Sequence, residues 1–187
     1  MLTAVHTNEM DEAGGVLLSG GAPVDAEVGV LLAVLEGQRR HVLGMVDGLG
    51  EADLRRAVLP SGWSCLGLVQ HLALDVERFW FQAVFAGDAE VIASLAGMGD
   101  AWQVEAGVEA GAVLERYRAE ARIADRLAAE GVAEAPLAWW PGHFEGEQHL
   151  HTLRDLLLHV ITETACHAGH LDAARELIDG RRWLVLT

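Results

Sequence analysis

The chain of 187 residues has no lysine; all 13 of its cations are arginines. Asparagine occurs once, at Asn8, while alanine, glycine, leucine and valine abound. That bias matches GC-rich codon usage and speaks of a genome rather than of chemistry. Positive charge is scarce: 28 acids against 13 arginines give a formal net charge of −15. Such a chain meets phosphates with the wrong sign, which excludes nucleic acid as a partner and argues against an anionic membrane surface. Cysteine is present only at Cys65 and Cys166, both inside apolar helical patterns, so there is no disulfide framework. No run reaches the roughly 18 apolar residues of a membrane span. The first 30 residues carry acids where a secretion signal carries bases. A cytoplasmic protein of one domain is expected.

A β pattern is missing too, and four helical patterns stand in its place. Residues 1–22, ending in EAGGVLLSGGAP, are Gly-rich and weakly patterned; they are expected to be a mobile tail or a pairing segment for a partner chain, with the domain covering 23–187. The first helix is expected over 25–49, capped by Asp25, with Val28, Leu31, Leu32, Leu35, Val42 and Met45 inward. The linker GLGEADLRRAVLPSGW holds a short helical turn. A second helix starts at the N-cap Ser64 and runs to Phe85 on the stripe Cys65, Val69, Leu72, Val76, Phe79, Ala83. A third covers 104–130, with Val113, Leu114, Tyr117, Ala121, Ala124 and Leu127 inward. A long loop over 131–151 follows, and loops of that length are often functional. Thr152 and Asp155 in TLRD resemble a capping box and open a last helix that stops at Gly180. The sum is an all-α four-helix bundle. Leu184 and Val185 beyond it serve either as dimer contacts or as a tail packed on its own bundle.

The last helix contains LLHVITETACHAGHLDAAREL, with His159, Glu163, His167 and His170 on roughly one face. Its core stripe runs Leu153, Leu157, Val160, Thr164, His167, Leu171, Ala174, Ile178, so His167 points into the bundle. A carboxylate beside a bundle core is costly unless paired or metal-bound, and Glu163 lies one turn before His167. Two donors one turn apart can reach a single ion. The same spacing also suits a plain Glu–His hydrogen bond on a half-exposed face. His71, flanked by Leu68, Val69 and Leu72 on the second helix, is a third candidate donor, or a core histidine satisfied by a backbone carbonyl. Asp75, one turn on, can hold its other ring nitrogen. His159 and His170 flank the Glu163/His167 pair and can orient a ligand, act as a base or substitute as ligands. His41 is read as a surface residue, His6 as part of the tail, and His143, His149 and His151 as solvated. Both cysteines are read as packing residues.

The stretches PSGWSCLGLVQHLALDVERFWF (60–81) and TLRDLLLHVITETACHAGHLDAARELIDG (152–180) resemble the DinB-like superfamily, in particular its actinobacterial branch of thiol-dependent transferases. The resemblance covers about 28–180 and is thin between those two segments. It implies a four-helix bundle with a divalent metal at its centre. One His from the second helix and an i, i+4 pair from the last would be the ligands, which falls on His71, Glu163 and His167. Many DinB-like members carry His at all three places. Glu163 departs from that, in the manner of the mycothiol-dependent maleylpyruvate isomerase branch, where a His/Glu/His set binds zinc. The resemblance further implies mycothiol or another small thiol as co-substrate, and a homodimer.

Three protein ligands on a four-coordinate ion leave one position open, the arrangement of a catalytic rather than a structural site. An open Zn²⁺ can hold a thiol as the reactive thiolate. Ni²⁺ and Fe²⁺ accept the same donors. The expected function is therefore a metal-dependent S-transferase that joins a low-molecular-weight thiol to an electrophilic small molecule. His170 would serve as base or as a group orienting a ligand, with Asp75 and His159 behind the ligands. Trp139, Trp140 and Phe144 of the long loop either cover the substrate or pack the loop onto the bundle. The alternatives are a metal-dependent hydrolase, a thiol-dependent isomerase and a non-catalytic metal-binding helical protein.

Overall fold

The computed structural model describes residues 24–144 and 149–183. The expected mobile tail 1–22, with His6, and the positions Leu184 and Val185 lie outside the described residues, as does the side chain of His143. The described architecture is all-α. Helix α1 spans Ala26–Val46 and α2 Glu51–Arg55. Helix α3, Cys65–His71, continues without a break as a π-helix over Leu72–Phe85. The short α4 is Ala89–Leu95, α5 is Ala110–Ala129 and α6 is Leu153–Asp179. Four long rods, α1, α3 with the π-helix, α5 and α6, make the bundle. Helix α1 packs chiefly along α6, and α5 along the π-helix.

The caps follow the sequence chemistry. Asp25 accepts from the N–H groups of Glu27 and Val28 at 3.1 and 3.0 Å. Ser64 Oγ accepts from the Gly67 N–H at 3.1 Å. Thr152 and Asp155 close the expected capping box, and Gly180 ends α6 at φ 80°, a left-handed conformation that glycine adopts without strain.

Three departures from the sequence reading have physical causes. First, the π-helix changes the inward face. Its hydrogen bonds reach back five residues, as in Ala86 N–H donating to Phe81 O at 3.0 Å, so each turn holds more residues than an α-turn. Leu72, Val76, Glu77, Trp80, Phe81 and Val84 are buried, while Phe79 is only half-buried against the core. Secondly, α5 starts at Ala110 rather than 104. The Arg55 guanidinium donates to the carbonyls of Val104, Glu105 and Val108, and Glu51 accepts from the Ala110 N–H at 3.2 Å. Helix α2 thus holds residues 104–109 in a turn outside the helix, where the Val108 N–H donates to Glu105 O at 3.1 Å, and caps α5 from outside. Thirdly, His41 is not a surface residue. Its side chain is 15% exposed, its Nε2 lies 2.9 Å from Asp172 Oδ1, and Trp183 stacks on its ring. Helix α4 is an element that the sequence reading did not include.

Arg39 is buried at the centre of the bundle. Its Nε and Nη2 donate to the two carboxylate oxygens of Glu77, each at 2.7 Å, and its Nη1 donates to Asp125 at 2.6 Å. The Arg39 and Glu77 side chains are 2% and 1% exposed. Burial pushes the Glu77 carboxyl up from its ordinary value, and the Arg39 charge opposes that shift. Removing one member leaves the other charged and unpaired in a low-dielectric interior. Arg39→Ala is therefore expected to lose about 3–5 kcal/mol of stability in chemical denaturation. The double replacement Arg39→Met with Glu77→Leu should lose less than the single one. Equal losses would contradict this account of the pair.

Candidate metal centre

His71 stands at the last α-turn before the π-helix, and Glu163 and His167 stand one turn apart on α6. One donor atom from each falls within 4.8 Å of the others. The rings of His71 and His167 meet edge to face with centroids 5.0 Å apart. Glu163 Oε2 lies 3.4 Å from His167 Nε2. The side chains of His71 and His167 are 15% and 12% exposed, that of Glu163 42%. The cluster therefore sits at the edge of the core, walled by protein on the imidazole side and open on the carboxylate side.

Each imidazole has a partner for its second nitrogen. Asp75 Oδ2 lies 2.9 Å from His71 Nδ1; a carboxylate accepts, so Nδ1 carries the proton and Nε2 keeps its lone pair for the cluster. His170 Nδ1 lies 3.4 Å from His167 Nδ1. Burial, then repulsion from His71, lowers the pKa of His167, which favours the neutral ring that has a lone pair to give. Two imidazoles and one carboxylate, with Asp75 behind the first, form a donor set that fits a divalent cation.

A family model described as Mycothiol-S-transferase matches residues 30–180. The chain belongs to the mycothiol-S-transferase family. This is a DinB-like family, and the match includes both segments that contribute donors to the cluster. No curated protein and no solved structure matches the chain.

In this member of the mycothiol-S-transferase family the remaining sequence candidates fall as follows. Asp75 and His170 lie beside the cluster. His159 does not touch a donor in the same way: its ring meets Trp80 with centroids 4.5 Å apart, and burial lowers its pKa against the opposing charge of Glu163. Trp80 belongs to an aromatic cluster with Phe79, Trp140 and Phe144, and Trp139 joins it through Phe79. The loop aromatics thus pack the loop onto the π-helix. His149 and His151 are exposed as expected and stack in series on Trp140. Cys65 is 1% exposed, and burial pushes its thiol up to about 11, which leaves it inert. Cys166 is exposed, not packed: it sits on the outer face of α6, one residue from His167.

The aromatic groups that do border the cluster escaped the sequence reading. Trp102 stacks on His71 with centroids 4.2 Å apart, and Trp63 leans on His170 at 6.1 Å. Trp63 precedes the N-cap Ser64, a position where an apolar residue often packs over a helix start. Trp102 gives no periodic signal. Its turn is held by Asp100 Oδ1, which accepts from the Trp102 N–H at 3.0 Å. The Gln70 amide donates to the carbonyls of Ala101 and Gln103 at 2.8 and 3.2 Å. Gly67 permits this approach: a methyl there would lie 2.2 Å from the Trp102 carbonyl oxygen. Gly67→Ala is accordingly expected to lift Trp102 off His71, change the near-UV circular dichroism and cost about 1–3 kcal/mol of stability. An unchanged spectrum at unchanged stability would mean that the contact with Gly67 does not hold the turn.

Proposed function

We propose that the protein transfers the sulfur of a low-molecular-weight thiol, mycothiol, to an electrophilic small molecule at a divalent metal held by His71, Glu163 and His167. The observation that carries this reading is the convergence of three donors within 4.8 Å on the edge of the bundle core. Membership of a mycothiol-S-transferase family supports the thiol and a small-molecule substrate. Zn²⁺ suits a borderline N/O donor set with an open position, and Ni²⁺ or Fe²⁺ accept the same residues. Among the described residues no helix is long and apolar enough to cross a membrane.

A divalent ion held by His71, Glu163 and His167 would supply Lewis acidity that lowers the pKa of an approaching thiol. The chain's own groups do the rest. Asp75 fixes His71 in the tautomer whose Nε2 faces the cluster. Were Nε2 of His167 to hold the ion, its Nδ1, 3.4 Å from Nδ1 of His170, would carry the proton and donate to it. His170 is exposed and beside the cluster; with its Nδ1 accepting from His167 it would hold its own proton on Nε2, so its part would be to orient His167, and the thiol proton would pass to water. In the transfer the S–H proton departs, a carbon–sulfur bond forms, and the leaving group takes the electron pair of the bond it breaks. With an unsaturated electrophile the proton returns to carbon instead.

The test is turnover of a general electrophile such as 1-chloro-2,4-dinitrobenzene by the metal-loaded protein. The reading expects product only when both thiol and metal are present, and loss of turnover on chelation. Loss of a hydrolysable substrate without thiol would instead make the site a hydrolase and contradict the transfer. A second expectation concerns Asp75. Asp75→Ala should weaken metal binding about 10–100-fold in competition with a chromophoric chelator. Undiminished affinity would remove Asp75 from the site.

A further inference from the structure

Beside the cluster lies an open cleft of about 330 Å³, lined by Ser61, Gly62, Trp63, Asp100, Trp102 and Gln103. Small-molecule sites commonly span roughly 300–1,000 Å³. The cleft runs between the turn that leads into α3 and the turn at 100–103. Its two indoles are half-buried, and each also touches an imidazole of the site: Trp102 that of His71, and Trp63 that of His170. One end of the cleft therefore abuts the candidate metal centre. None of the six lining residues is a cation, and one is a carboxylate.

We propose that this cleft binds the polyhydroxylated ring portion of the thiol co-substrate, a sugar or cyclitol, while the thiol reaches the metal centre. The proposal rests on the S-transfer reading and adds a site to it. A cyclic polyol has apolar C–H faces and a rim of hydroxyls. Indole faces suit the first; a carboxylate, an amide and a hydroxyl suit the second. The absence of a lining cation disfavours a phosphate or carboxylate ligand, whose charge would face Asp100. The cleft is preorganised as well. Asp100 spends Oδ1 on the Trp102 N–H and has a second oxygen to accept from a hydroxyl. Gln70 holds the backbone on both sides of Trp102, so the indole is fixed before any ligand arrives. Mycothiol fits this chemistry, because its cysteine is carried on a glucosamine–inositol unit.

Two measurements on the full chain test the proposal. The first compares thiols in turnover of 1-chloro-2,4-dinitrobenzene by the metal-loaded protein, for wild type, Asp100→Asn and Trp63→Leu. The expected result is a KM for mycothiol raised about tenfold or more, as one or two lost hydrogen bonds or a stacked ring would give. The value of kcat/KM for N-acetylcysteine, which lacks the polyol, stays within twofold of wild type. Equal changes for both thiols, no change for either, or a change confined to the KM of the electrophile would overturn it. The second measures binding of the thiol-free glucosaminyl-inositol by calorimetry. Binding is expected to wild type and equally to His167→Ala, and to be weakened in Asp100→Asn. Binding to His167→Ala separates the cleft from the metal: it survives even if the metal reading fails. No binding to wild type at millimolar disaccharide would overturn the cleft assignment alone.

Discussion

A single guanidinium reaches three of the four long rods. Arg39 leaves α1, forks onto Glu77 of the π-helix and spends its remaining nitrogen on Asp125 of α5. Buried ion pairs add little net stability over an apolar packing, but a broken one is costly, so such a pair sets register more than it adds strength. Register is what the site needs. His71 lies six residues before Glu77 on the same continuous rod, and a slip of that rod would carry His71 away from α6. Helix α6 is referenced to α1 in turn: Arg175 donates to the carbonyls of Met45 and Asp47, each at 2.8 Å. Both halves of the donor cluster are thus positioned against the same helix.

The π-helix is the second constraint. Such segments are rare and mostly a single turn long, and they concentrate at functional sites. Here the wider turns begin directly after His71 and continue for 14 residues. They bring Glu77, Trp80 and Phe81 inward together and let Trp80 receive both His159 and the loop aromatics. His71 remains on the α-helical side of the junction, facing α6. Around it the polar atoms are well matched: Asp75 behind His71, His170 behind His167, and Gln70 bonded to the turn that carries Trp102.

Much of this was legible in the sequence because it obeys local rules. The caps at Asp25, Ser64 and Thr152 are side-chain chemistry, and the Gly180 stop is conformational. The stripe on α6 from Leu153 to Ala174 follows an ordinary α-period and is buried apart from half-buried His167. The triad His71, Glu163, His167 was legible for the same reason, since two of its members share one helix face and the third interrupts an apolar run. What escaped depends on partners far apart in the chain or on a changed period. Arg39 and Glu77 are 38 residues apart, and nothing near either predicts the pairing. An α-period places Phe79 inward, whereas the π-turns choose Trp80 and Phe81. Residues 104–109 have helical composition, yet Arg55 captures their carbonyls from another element. Trp102 reaches His71 only because Gly67, on a different segment, leaves room for its carbonyl.

The central claim is that His71, Glu163 and His167 hold one divalent ion, and elemental analysis of the purified protein tests it most directly. Wild type should carry one equivalent of a divalent metal per chain, or take one up on reconstitution, and His167→Ala should lose it while keeping its helical circular dichroism. Wild-type protein that holds no metal as purified and takes up none on reconstitution would contradict the account. So would a folded His167→Ala variant that retains a full equivalent.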